Sequence, residues 1–436
     1  MDRREFLKHC MTLGVLGAAA AGSKAFAGVE VPKKTRTSGG ARSVIELWIW
    51  GGPCQLESFD PKPGAGELYN GGRGQIPTNV DGLFLSEYLP QLAKQADKFS
   101  VIRSMTHRFF GHEAATYLMQ TGREPGGGIT YPAIGALLAM MKGGDVKYNL
   151  PPYVALTINK GRFSECGFLG DRYRPFATGG NPMAWQFQVD GYTPAGGISR
   201  QQMQERSKFA RELDTFSRQY AGHPALRSAA LAEKDAESIM YGKAADVFDL
   251  RQEPKEVRER YGMTRFGQSC LCARRLVEAG VPYITINASG WDTHKKHFET
   301  LNRIAPEMDR AVAALLEDLA SRRLLDTTLV WWSGEFGRTP KVDYDPPWQG
   351  GRNHYCPCFS AMVAGGGFKG GQIVGASDEV GGKVVSRPVS PVDLLGSIYE
   401  LCGIDPAGMF PENPIGLKSP ILPGADPKTR LREIYC

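Results

Sequence analysis

The 436-residue chain has no charge-free apolar run of the ~20 residues a bilayer-spanning helix requires, so no segment reads as a transmembrane helix. Charge is nearly balanced, with 52 Lys+Arg against 46 Asp+Glu, which leaves no basic footprint for nucleic acid. Histidine is scarce, at seven residues. The nine cysteines never fall at the spacing of a structural zinc site. Cys270-x-Cys272 and Cys356-x-Cys358 come nearest, and most of the cysteines read as buried free thiols, although an oxidising destination permits disulfides. There is no internal repeat, and no low-complexity tract beyond VPKKTRTSGG.

What is present begins with a targeting segment. Arg3 and Arg4, followed by Glu5-Phe6-Leu7-Lys8, a short Gly/Ala-rich apolar run and Ala25-Phe26-Ala27, match a twin-arginine export signal with cleavage near Ala27. The alternative, an N-terminal membrane anchor, is disfavoured because the run from Met11 to Gly22 is too short and too weakly apolar. We therefore expect a signal over 1–27, a linker over 28–41 and a periplasmic or extracellular domain over 42–436. The twin-arginine route carries folded chains, many of them already loaded with a metal or cofactor.

Beyond the linker, strand-like and helix-like runs alternate, the pattern of a mostly parallel sheet covered on both faces. SVIELWIW, FSVIRSM, PPYVALTI, VPYITINA, TTLVWWSG and CFSAMVAG read as strands. HEAATYLMQTG, YPAIGALLAMM, IAPEMDRAVAALLEDLASRR and SPVDLLGSIYELCGI read as helices. Residues 200–280 carry apolar positions at helical spacing and form a helical insertion. Residues 181–199 read as an irregular loop, and GGGFKGGQIVG as a hairpin-like excursion. The fold expected is a three-layer α/β/α sandwich.

Three strand-associated loops hold the residues with chemistry. VPYITINASGWDTHKKH supplies Asp292, His294 and His297, TTLVWWSGEFGRTP supplies Glu335 and Arg338, and GRNHYCPCFSAMVAG supplies Arg352, Asn353 and His354. Carboxylate and imidazole together suit a divalent metal, and the ends of α/β strands are where such loops converge on ligands. Each residue also has a plainer reading. Asp292 could cap the following helix and His294 pack on Trp291; His297 could share the site or face solvent. Glu335 and Arg338 could form a structural ion pair, and Arg352 with Asn353 could hold an oxyanion or only the loop.

GGPCQLESFDPKP, GWDTH, GEFGRTP and GRNHY, in this order behind a twin-arginine signal, resemble the secreted family known as domain of unknown function 1501 across the whole mature chain. The resemblance implies membership of the alkaline-phosphatase-like superfamily, which includes sulfatases and phosphoglycerate mutases, and an α/β/α fold. It also implies a divalent metal held by Asp292, His294, Glu335 and His354, with zinc, manganese, iron and calcium all open. Two departures stand out. Gly51-Gly52 occupies the place where the superfamily ends its first strand on Asp, with Asp60 only later. Counting back from Thr121 in LMQTGREP to the nucleophile position reaches His112, where Ser, Thr or Cys would be expected.

These observations leave two functional readings. In the first, the protein is a metal-dependent hydrolase of a small anionic or carbohydrate-linked ester (phosphate or sulfate). His112 or Glu335 acts as base, Arg338 or Arg352 with Asn353 holds the anion, and His107 and Asp60 are possible additional ligands. The plainer readings of His112 are a packed histidine or a helix-start residue binding an anion. In the second, the protein keeps the fold but serves as a non-catalytic binding or assembly partner.

Overall fold

SVIELWI forms strand β1 (Ser43–Ile49), and every residue in it is buried, as an unbroken apolar run predicts for a strand covered on both faces. The structure, a computed structural model, describes residues 40–157, 166–192, 199–215, 243–411, 413 and 415–436. The expected export signal, nearly all of the expected linker, the middle of the 200–280 segment and part of the 181–199 loop lie outside the described residues.

After β1 come β2 (Phe99–Met105), β3 (Tyr153–Leu156), β4 (Phe176–Ala177), β5 (Tyr283–Ala288) and β6 (Thr328–Ser333). Next is a separate antiparallel ladder of β7 (Gly337–Arg338) and β8 (His354–Tyr355), followed by β9 (Phe359–Ala364) and β10 (Ile373–Val374). The main sheet has eight strands in the order β10-β2-β9-β6-β1-β5-β3-β4. Every neighbouring pair is parallel except those made by β9, which runs against both β2 and β6. The excursion read as a hairpin instead delivers β10 as an edge strand parallel to β2.

Among the described residues six longer helices cover the sheet or project from it: α1 (His112–Thr121), α2 (Ile134–Lys142), α3 (Arg200–Leu213), α4 (Arg265–Glu278), α5 (His297–Ser321) and α6 (Pro391–Leu401). Strand side chains alternate between the two faces. Ile45, Leu47, Ile286 and Trp332 pack with the apolar sides of α4 and α5, whereas Val44, Trp48, Trp331 and Val363 pack with α2 and α6. The adjacent Trp331 and Trp332 are thus both buried, on opposite faces. Each contributes on the order of 2–3 kcal/mol of apolar burial, enough to fix the register of β6. The architecture is the three-layer α/β/α sandwich with a mostly parallel sheet that the sequence predicts.

This topology positions the site. The loops after β1, β5 and β6 leave the carboxyl edge of the parallel strands, where ligand loops of open α/β sheets gather. Because β9 is antiparallel, the segment that precedes it, residues 352–358, reaches that same edge. His354 therefore meets Asp292 although it stands before its strand and not after it.

Candidate metal centre

Close backbone approach comes first. Gly51, at φ +102°, lies so near Asp292 that a Cβ there would fall 2.3 Å from the Asp292 nitrogen. A Cβ on Gly351 would fall 1.8 Å from the His294 carbonyl oxygen. Only glycine lets the three loops touch.

Asp292 is the hub. His294 Nε2 lies 3.1 Å and His354 Nε2 3.2 Å from its Oδ1, and His112 Nε2 lies 3.4 Å from its Oδ2. The two imidazole nitrogens of His294 and His354 face each other at 2.9 Å. The far side of each ring is engaged by oxygen: His112 Nδ1 by Glu335 Oε1 at 2.6 Å, His294 Nδ1 by Asn353 Oδ1 at 2.9 Å, and His354 Nδ1 by the Phe110 carbonyl at 2.7 Å. A carbonyl and a carboxylate only accept, so the Nδ1 atoms of His354 and His112 donate. For His294 the same tautomer follows from the Asn353 amide orientation.

The Nε2 atoms of these rings are thereby aimed at the Asp292 carboxylate. Imidazoles ordered by an oxygen behind Nδ1 are the arrangement by which histidine ligands hold a metal. Two Nε2 lone pairs at 2.9 Å repel unless a proton or a cation is shared between them. The residues present therefore fit a divalent ion, and a donor set richer in nitrogen than oxygen suits zinc, iron or manganese better than calcium.

The electrostatics agree. Burial acts to raise Asp292, but its contacts with the His112 and His354 rings and with the Arg338 guanidinium hold it far below the usual carboxylate range. His112 is raised to about 9, chiefly by its hydrogen bond with Asp292 and then by Glu335. A cation taken up by Asp292 removes the larger of these influences and favours the neutral ring. Burial lowers His294.

The remaining expected site residues play other parts. Glu335 is fully buried; its Oε1 accepts from the Gly51 nitrogen at 2.9 Å as well as from His112, and its Oε2 has no protein partner. These contacts place it behind His112. Arg338 is also fully buried, clamping Asp292 Oδ1, the Gly51 and Gly52 carbonyls and, at 3.1 Å, the Arg352 carbonyl. Arg352, buried too, donates to Glu57 Oε1 at 2.6 Å and to the Thr339, Pro340 and Tyr69 carbonyls. Both guanidiniums brace loops, and Asn353 orients His294.

His107 Nε2 donates to the Glu335 backbone oxygen at 2.7 Å, and its Nδ1 accepts from the Phe109 nitrogen, so neither nitrogen is turned to the hub. Asp60 is buried beside Lys62 at 3.0 Å and Arg103 at 3.5 Å. His297 falls in a second, fully buried group with Glu57 and Cys54. There its Nδ1 takes the Thr293 hydroxyl at 2.5 Å and its Nε2 meets Glu57 Oε2 at 3.0 Å. Burial leads in lowering the pKa of that ring, against the opposing pull of Glu57. Burial also acts to raise Glu57, but the charge of Arg352 leads in holding it down to about 2. Lys296, not Asp292, stands at the N-cap of α5, and the indole beside His294 is Trp348 at 6.0 Å.

Sequence reasoning missed Glu57, Thr293, Trp50 and the Phe110 carbonyl. Glu57 sits inside GGPCQLESFDPKP, but nothing in that segment announces a partner as distant as Arg352. The eight cysteines among the described residues are free, and all but Cys436 are buried.

The fold and the site define an α/β/α protein with a histidine-rich candidate metal centre at the sheet's carboxyl edge. The chain belongs to the family described as protein of unknown function (DUF1501), whose profile matches residues 41–419. No curated protein matches it. Among solved structures it is similar to the PsFucS1 sulfatase from Pseudoalteromonas sp., at 14% identity over 84% of this chain and 68% of that one, with a TM-score of 0.36. It is similar to the lipoteichoic acid synthase LtaP from Listeria monocytogenes, at 10% over 90% and 79%, with a TM-score of 0.38. It is also similar to the zinc complex of the C-terminal periplasmic domain of EcEptC from Escherichia coli, at 12% over 91% and 98%, with a TM-score of 0.36. Likeness at this level leaves the chemistry to be argued from the side chains.

Proposed function

We propose that the protein is an exported, metal-dependent hydrolase of anionic esters, acting at the Asp292 centre. The observation that carries this reading is the convergence of three oxygen-ordered imidazoles, His112, His294 and His354, on one carboxylate. Asp292, His294 and His354 would hold the ion, with His112 beside them. The ion would supply Lewis acidity at a substrate oxygen and make water a stronger acid.

The chain's own residues do the rest. Arg338 fixes the Asp292 carboxylate and ties it to the Gly51-Gly52 turn. Glu335 and Asn353 hold His112 and His294 in one tautomer and pose. The test is metal reconstitution followed by assays on aryl phosphate, phosphodiester and sulfate, with and without chelator. Chelator-sensitive turnover is expected; a protein that takes up no metal and turns over none of these esters contradicts the reading.

Export through the twin-arginine route, with a soluble domain over 42–436, belongs to the same proposal. Among the described residues no helix is long and apolar enough to cross a membrane. Detection of the mature N-terminus in the periplasm or medium tests it.

One observation favours a second reading. Arg338 and Arg352, expected to hold the substrate anion, are both fully buried and spent on protein acceptors. A binding or assembly protein that retains a structural ion needs no such cation. An Asp292→Ala/His354→Ala protein that folds and still serves its cellular role would favour this second reading.

A further inference from the structure

We propose that His112 is the nucleophile of this site and that it carries phosphoryl transfer through a phosphorylated imidazole, which makes phosphate esters the substrate class. This rests on the hydrolase reading above and adds the attacking atom.

His112 is the first residue of α1, and its ring is confined by Trp50 at 5.7 Å, Phe336 at 5.2 Å and His354 at 4.3 Å between centroids. One end of the ring is spent on a buried carboxylate, Glu335 Oε1, at 2.6 Å. The other end, Nε2, points to Asp292 Oδ2 at 3.4 Å, and 30% of the side chain is accessible. An imidazole backed by a carboxylate at Nδ1, with Nε2 presented to the reacting centre, is the arrangement that favours bond formation at Nε2, because the carboxylate stabilises the imidazolium that results.

The oxygen and sulfur nucleophiles nearby are committed elsewhere. The Thr293 hydroxyl is turned to His297 at 2.5 Å, the Ser333 hydroxyl donates to the Gly334 carbonyl at 3.0 Å, and Cys356 is fully buried against Phe336 and Ala115. His112 could itself join Asp292 and His354 around an ion, but Asp292, His294 and His354, with their ligating atoms 2.9, 3.1 and 3.2 Å apart, are enough to hold one with a position left open, the arrangement typical of catalytic sites. His112 is then the free nucleophile at its rim.

In the first step the Nε2 lone pair forms the N–P bond as the ester P–O bond breaks. The electron pair leaves on the alcohol oxygen, which takes a proton from solvent. The imidazolium keeps its Nδ1 proton, and Glu335 balances its charge. In the second step a water oxygen bonds to phosphorus as the N–P bond breaks, the pair returns to Nε2, and the water's protons pass to phosphate and solvent. The sum is ester plus water giving alcohol plus phosphate.

Stereochemistry tests this whatever the lifetime of the adduct. The metal-reconstituted full chain is given an aryl phosphorothioate made chiral with oxygen isotopes and hydrolysed in isotopically labelled water. Two displacements predict net retention at phosphorus, together with an acid-labile, base-stable phosphoryl group on the His112 peptide after alkaline quenching. Inversion overturns the proposal and returns His112 to the role of ligand or base. Turnover of a sulfate ester but of no phosphate ester overturns the proposal alone, whereas turnover of neither by metal-loaded protein overturns the hydrolase reading as well, so the two failures are distinguishable. His112→Ala, checked for retained metal and a cooperative unfolding transition, is expected to lose turnover and to recover it in part with free imidazole. Full activity in that variant without imidazole also overturns the proposal.

Discussion

Glu46 lies in the middle of β1 with its carboxyl fully buried, accepting from the Thr285 hydroxyl at 2.6 Å and from the Gln120 amide. Burial dominates and raises its pKa from 4.5 to about 7. The native state therefore keeps a proton that the unfolded chain loses, and stability falls as pH rises from about 4.5 to about 7, by on the order of 3 kcal/mol. Glu46→Gln removes this dependence, so urea unfolding at pH 5 and pH 8 is expected to show wild type losing stability while the variant does not. An equal change in both proteins would contradict it. A second expectation concerns Glu335: Glu335→Gln keeps an acceptor for the His112 ring but removes the charge behind it. Turnover by the metal-reconstituted protein is expected to fall roughly 10–100-fold with metal uptake retained; unchanged turnover would separate Glu335 from the centre. At this scale the sequence disclosed which residue types matter but not their assignment. His112 and Glu335 meet across 223 positions. The sequence leaves Arg338 and Arg352 open as anion holders or as structural groups, because the carbonyls and carboxylates that pair them in the interior come from other loops.

The strands were legible because buried parallel strands are near-continuous apolar runs, as SVIELWI and TLVWWS are. The direction of β9 was not, since a buried apolar run carries no record of its orientation. That direction decides the site, because it brings the 352–358 segment to the edge where Asp292 stands. The helical pattern was read correctly for α4, but α5 begins at His297, earlier than the periodic run, with Pro306 inside it. The glycine turn after β1 gives this scale its prediction. Gly51→Ala places a Cβ against the Asp292 backbone at a positive φ, which costs roughly 2–5 kcal/mol from overpacking and strain together. Denaturant unfolding with parallel metal titration is expected to show both lost stability and weakened binding. A variant as stable as wild type would mean the β1 and β5 loops can separate without cost.

For the whole molecule, one sheet gathers loops from 51, 292, 335 and 354, although these positions are spread across most of the chain. An ion held at once by Asp292, His294 and His354 binds the folded state and not the unfolded chain. At free metal about 100 times the dissociation constant it stabilises folding by about 2.7 kcal/mol. Thermal unfolding with added zinc or manganese is expected to move upward in wild type and to stay put in Asp292→Ala/His354→Ala. The most direct measurement of the central claim is the metal content of the purified, folded protein beside that double variant. The account predicts about one tightly held divalent transition ion per chain, retained through dialysis and absent from the variant. A wild-type protein that is folded, carries no ion and takes none up from zinc, manganese or iron would contradict it.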